Sequence, residues 1–91
     1  MESLDRQLRY FIKIAELKSL SRAAETLDLT QSGISRQLGS LEAHVGKPLF
    51  FRTGRGVELT TAGEQLFAAA KPAYASIDET LDTIRDQDGI T

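Results

Sequence analysis

The 91-residue sequence predicts a mainly α-helical domain: three amphipathic helices, a short two-stranded β-hairpin and one long C-terminal helix. Three observations predict it. Apolar residues recur at helical spacing in four separate stretches. Glycine and proline interrupt that pattern at Gly46 and Pro48, and glycine does so again at Gly54 and Gly56. Short apolar or mixed runs, 49–52 and 57–59, flank the second interruption, so the strands belong there.

The first helix spans about residues 5–18. Leu4, Leu8, Phe11, Ile12 and Ala15 form its stripe, and Tyr10, Ile14 and Leu17 widen it until it needs two partners, the next helix pair and the last helix. Arg6, Arg9 and Lys13 read as solvated charges. A shorter helix follows over 21–27, with Ser21 as its N-cap and Ala23, Ala24 and Leu27 at helical spacing. Ala24 lets another helix cross closely. Asp28, Leu29 and Thr30 make the turn: Asp28 tolerates a left-handed backbone, Leu29 plugs the angle between helices, and Thr30 caps the helix that follows.

That third helix ends near Val45, with Gly46 at the left-handed position after it and Pro48 unable to continue it. At about 100° per residue, Ile34, Leu38, Leu41 and Val45 gather on one side while Ser32, Arg36, Gly39, Ser40 and Ala43 gather opposite. A merely solvated face would carry several Glu and Lys and would avoid a mid-helix glycine, which costs about 1 kcal/mol relative to alanine. Small residues let a backbone sit close to a partner surface. A helix entering the DNA major groove has that requirement, with its N-terminal residues at the base edges and its partly positive end near phosphates. Gln31, Ser32, Ser35 and Arg36 occupy that end. Gln suits the paired donor and acceptor of adenine, Arg the two acceptors of guanine, and Ser either base or phosphate. Helical hairpins with small outer faces also pack against proteins, so this stretch alone leaves both partners open.

Within the predicted hairpin, Arg52, Thr53 and Arg55 precede the first acid, Glu58. A cation on a glycine-flanked tip beside a groove-reading helix can enter the adjacent minor groove; a plain solvated turn is the other reading. The last helix opens around 59–64, where Thr61 with Glu64 fits a capping box and Thr60 competes as N-cap. Beyond it Leu66, Ala70, Ala73, Ile77, Leu81 and Ile84 form a seam, with Phe67 and Tyr74 alongside. Such a seam suits a second copy of the same helix, or a helix folded back on its own domain. Pro72 removes a backbone hydrogen bond and predicts a kink over 68–72. The limits expected are 1–59 for the DNA-reading unit, 60–86 for the linker helix and 87–91 for a hinge or disordered end.

Composition excludes several function classes. Cysteine is absent and His44 is the sole histidine, so thiolate and histidine-rich metal sites are ruled out, and His44 reads as a surface residue near a helix end. No HExxH pattern and no phosphate-binding glycine loop followed by Lys and Ser/Thr is present, so an enzyme is not expected. No apolar run approaches the roughly 20 residues of a membrane span, and the N-terminus lacks a signal-peptide pattern, which predicts a cytoplasmic protein without a membrane partner. The net charge of −2 is unusual for a nucleic-acid binder, but it is unevenly spread: +1 over 1–18, +2 over 19–56 and −5 over 57–91. The acidic third must point away from DNA.

Three segments in order, QLRYF, SLSRAAETLDLTQSGISRQLGSLEAHVG and PLFFRTGRGVELTTAGE, resemble the N-terminal DNA-binding domain of the LysR-type bacterial transcriptional regulators over about residues 4–85. The resemblance implies a winged helix-turn-helix followed by a long linker helix that pairs antiparallel with its twin, so that two recognition helices face an interrupted inverted repeat in double-stranded promoter DNA. By position it implies groove contacts from Gln31, Ser32, Ser35 and Arg36, wing contacts from Arg52, Thr53 and Arg55, and phosphate contacts from Ser21, Arg22 and Thr30. Dimerisation falls to Leu66, Ala70, Ala73, Tyr74, Ile77, Leu81 and Ile84. A homodimer is expected, with a tetramer open to the full-length protein, in the bacterial cytoplasm and associated with the nucleoid. No cofactor is expected in this chain; in the family a larger two-lobed domain that binds a small-molecule inducer normally follows, so the chain is expected to be a fragment. Two departures stand out: Ser32-Gly33 where many relatives carry proline after the glutamine, and Pro72, which affects how linker helices cross. A protein-interaction module on the same fold is the second reading.

Overall fold

Helices α1 (Leu4–Leu17), α2 (Leu20–Thr26) and α3 (Gln31–Val45) lead into antiparallel strands β1 (Phe50–Thr53) and β2 (Gly56–Leu59), and α4 (Thr61–Ile90) completes the chain. This computed structural model describes residues 3–90, with side chains to residue 87. The element order is the one expected from the sequence.

Local hydrogen bonds set each boundary. Helix α1 starts where Ser3 accepts the Arg6 N–H at 3.3 Å and stops where Lys18 turns left-handed (φ 57°) and donates to the Ile14 carbonyl. The cap of α2 is Ser19 rather than Ser21. Ser19 is extended and accepts the Arg22 N–H at 3.1 Å, whereas Ser21 already lies inside the helix with its hydroxyl 3.2 Å from that of Ser19. Asp28 takes the left-handed turn position (φ 59°), and Thr30 caps α3 by accepting the Gly33 N–H at 3.0 Å.

Helix α1 is the centre of the domain. Its Ile14 packs with Leu20, Ala23, Ala24, Ile34 and Val57, while Phe11 packs with Leu41 and Leu49. Phe50 joins the two clusters, its ring 5.4 Å from that of Phe11. Burial of these side chains is the main favourable term, about 1.5–3 kcal/mol for each large one. Val45 departs from the expected inner stripe of α3. It is 42% exposed, because the end of α3 runs out past α1 to the rim of a shallow groove shared with Pro48, Ala62 and Leu66.

The β-hairpin sits on the turn between α1 and α2. Strand register pairs Phe50 with Leu59 and Thr53 with Gly56, leaving Gly54 and Arg55 at the tip. Gly56 has φ 148°, and a Cβ there would collide with the Lys18 carbonyl, which accepts the Val57 N–H at 3.1 Å. Only glycine permits that approach. Gly63 meets the same constraint at the start of α4, where a Cβ would strike the Leu49 carbonyl.

The α4 cap is Thr60, so the Thr61–Glu64 capping box does not form. Thr61 is the first helical residue, while Thr60 Oγ1 accepts the Gly63 N–H at 3.0 Å and donates to the Pro48 carbonyl at 2.8 Å. Helix α4 passes through Pro72 as a single element. The 87–91 segment, expected as a hinge or disordered end, is helical as far as Ile90, since no further proline interrupts the N–H ladder; residue 91 lies outside the described residues. At 30 residues the helix is about 45 Å long, which gives the domain its 51 Å long axis.

The first half of α4 lies against α1. Phe67 sets its ring edge-on to Phe11 at 6.4 Å, Ala70 is only 6% exposed, and Tyr74 is half-buried. The seam expected for a second copy therefore divides: Leu66, Ala70 and Tyr74 are engaged within the chain, while Ala73, Ile77, Leu81 and Ile84 are exposed. The broad stripe of α1 takes up the first turns of α4. Arg9 and Lys13 are likewise not free surface charges. Arg9 donates to the Asp78 carboxylate at 3.3–3.4 Å and lies 4.4 Å from the Tyr74 ring centre, Lys13 pairs with Glu16 at 3.6 Å, and Lys71 pairs with Glu16 from α4.

Candidate nucleic-acid interface

The buried pair Ile34 and Leu41 fixes the rotation of α3 about its axis, and the residues of its opposite face follow from that setting. Gln31, Ser32, Ser35 and Arg36 are all exposed in its first turn and a half. Thr30 is committed to the cap, with the Ser32 hydroxyl 3.3 Å from its Oγ1. The free backbone N–H groups of this turn and the positive end of the helix dipole face the same way. Further along, Ala43 is exposed and the space outside Gly39 is empty to 4 Å. The outer surface of α3 is thus low, and Arg36 is its only cation.

Ser21 and Arg22 are exposed at the start of α2, beside the Ser19 cap. Sequence reasoning missed Ser19 because the run Ser19-Leu20-Ser21 offers two caps; the deciding feature is buried Leu20, which must already be helical to reach Ile14 and Ile34. On the wing Arg52 and Arg55 are exposed, whereas Thr53 is half-buried and accepts the Arg55 N–H at 3.2 Å, which stiffens the tip. A shallow cavity lined by Leu38 and Glu42 of α3 and by Phe50, Phe51 and Arg52 of β1 joins wing to helix. Arg52 therefore stands by the C-terminal half of α3. Phe51, exposed at the rim of that cavity, was not singled out in the sequence.

Electrostatic perturbation lies elsewhere, on the seam between α1 and α4. The Lys71 ammonium holds the Glu16 carboxyl below the usual glutamate range, the hydrogen bond to Asp78 raises the Arg9 guanidinium, and burial raises the Tyr74 phenol. Among the described residues no cluster of His, Asp or Glu is arranged to hold a metal ion, and no helix is long and apolar enough to cross a membrane.

The family model for bacterial regulatory helix-turn-helix proteins of the lysR family matches residues 5–64, which takes in α1–α3, the whole wing and the α4 cap. The chain belongs to the lysR family. As a LysR-type DNA-binding domain it is 49% identical over 74 residues to the HTH-type transcriptional regulator DgdR of Burkholderia cepacia, covering 81% of this chain and 25% of DgdR. Its match to BudR of Klebsiella aerogenes is 44% over 80 residues, covering 88% of this chain and 56% of that protein. The chain thus spans between a quarter and little more than half of these relatives. Among solved structures, the BenM_DBD/catB site 1 DNA complex superposes with a TM-score of 0.82 at 31% identity, covering 94% of this LysR-type chain and 93% of that one. The CbnR_DBD–DNA complex superposes at 0.77 with 38% identity, covering 96% and 98%.

Proposed function

We propose that this LysR-type domain binds double-stranded promoter DNA sequence-specifically, as a dimer on an interrupted inverted repeat. The observation that carries the reading is the N-terminal end of α3, where Gln31, Ser32, Ser35 and Arg36 stand exposed on a helix face otherwise kept low by Gly39 and Ala43. Arg36 and Gln31 supply bidentate base recognition, Ser32 and Ser35 bond bases or phosphates, and the first-turn N–H groups hold phosphate. Arg52, Thr53 and Arg55 form the wing contact, with the cations drawn to the minor groove. Ser21, Arg22 and the Thr30 turn hold the backbone and set register without reading sequence.

The dimer forms through the outer half of α4, where Ala73, Ile77, Leu81 and Ile84 are exposed. Two recognition helices related by that two-fold meet half-sites about 34–36 Å apart, one helical turn or a multiple of it. Chemistry on a substrate is not part of the reading, since the relatives are transcriptional regulators.

A binding selection from random duplexes at two salt concentrations, followed by stoichiometry on the winning sequence, tests this. Enrichment of an inverted repeat bound by two chains, with affinity falling as salt rises, supports it. A folded protein that enriches no sequence sinks it and favours a protein-interaction module.

A further inference from the structure

Helix α4 is weakest at Pro72, which cannot donate a backbone hydrogen bond to Ala68. Two ion pairs to α1 straddle that point. Glu16 holds Lys71 just before the proline, and Arg9 holds Asp78 beyond it while lying over Tyr74. The spacing matches on both helices: Arg9 and Glu16 are seven residues apart, as are Lys71 and Asp78, so each helix presents both charges on one stripe about 10.5 Å apart. Past Asp78 every described side chain of α4 is exposed. Arg9 is therefore the last attachment between the DNA-reading unit and the free half of the helix, and it acts on the far side of the weak point.

We infer that Arg9 is a positioning residue for half-site spacing. By clasping Asp78 and Tyr74 it fixes the direction in which the free half of α4 leaves the domain, and so the separation and relative twist of the two recognition helices in a dimer. This rests on the dimeric reading proposed above. Arg9 contacts α4 rather than the α3 and wing surface, so the effect belongs to spacing and leaves base preference alone. Its guanidinium reaches Asp78 through both terminal nitrogens and stacks on the ring, a geometry that lysine does not reproduce in full.

The test compares wild type, Arg9→Ala and Arg9→Lys on inverted repeats whose spacer varies by single base pairs, and on an isolated half-site. One inserted base pair shifts a half-site by about 3.4 Å and turns it by about 35°. Wild type is expected to prefer its best spacer by about tenfold over neighbours one base pair longer or shorter, the cost of deforming DNA or protein to recover register. Arg9→Ala should compress that preference to within about twofold, Arg9→Lys should restore part of it, and half-site affinity should not change. The chain has no cysteine, so spin labels at Glu25→Cys and Asp86→Cys, diluted with unlabelled protein, report the α2-to-α4 distance independently of DNA. Its distribution should broaden in Arg9→Ala. A sharp spacing optimum that survives Arg9→Ala, or a distance distribution of unchanged width, overturns the inference and leaves the dimeric reader intact; a wild-type protein with no spacing preference overturns both.

Discussion

In the proposed reading of DNA, base discrimination turns on Arg36. It is the one cation on the outward face of α3, set there by Ile34 and Leu41 on the buried side. Replacing it with alanine is expected to relax specificity at one base position by about 1–3 kcal/mol while leaving the rest of the selected motif unchanged, as read by repeating the duplex selection. Glu16 makes a different prediction. Its folded-state pKa is lowered, chiefly by Lys71, so the unfolded chain binds the proton more readily. The stabilisation is fully present above the ordinary glutamate pKa and is lost as the pH falls through the depressed one. The pair is partly exposed, so Glu16→Gln should cost about 1 kcal/mol or less at neutral pH, and that difference should vanish in acid denaturation curves.

At the scale of elements, the caps separate what sequence pattern can carry from what it cannot. Ser19→Ala should destabilise the domain by about 1 kcal/mol, since it leaves the Arg22 N–H of α2 without its acceptor. Ser21→Ala should stay within about 0.5 kcal/mol, and urea denaturation of the two variants distinguishes the assignments. The helices, the Asp28–Thr30 turn, the wing and the exposed end of α3 were legible because each rests on residues a few positions apart. The cap assigned to Ser21 instead of Ser19, and the cap left open between Thr60 and Thr61, were decided by contacts from outside: burial of Leu20 against the core, and the Pro48 carbonyl that takes the Thr60 hydroxyl. The α4 seam was legible only as an apolar face, for the same reason. Helical periodicity identifies an apolar face but does not say whether α1 of the same chain or a second chain covers it, and here Ala70 and Tyr74 went to α1. Gly56 and Gly63 read as turn and helix-start glycines, yet the Lys18 and Leu49 carbonyls they accommodate come from distant parts of the chain. The Arg9–Asp78 and Glu16–Lys71 pairs, 69 and 55 residues apart, leave no local trace at all.

Across the whole molecule, the proposed function divides between a short reading unit and a long lever. The reading unit is closed around α1 and presents α3 and the wing; the lever presents Ile77, Leu81 and Ile84 at 50%, 44% and 47% exposure. Leu81→Asp should leave the thermal stability of the reading unit unchanged, because that side chain touches no part of its core. It should weaken dimerisation by about 3 kcal/mol or more, two leucine burials being lost per dimer, which sedimentation across a concentration series will show. Docking geometry separates a dimeric DNA reader from any other arrangement, and site-directed cleavage reads it out. An iron chelate is attached to a cysteine at His44→Cys, exposed near the end of α3, or at Gly54→Cys, on the wing tip with open space around it. On the selected duplex the α3 probe should cut within each half-site and the wing probe should cut the flanking minor groove, both patterns being symmetric about the centre of the repeat. Identical patterns from the two probes, or cleavage without two-fold symmetry, would contradict a dimer that reads DNA with α3 and braces it with the wing.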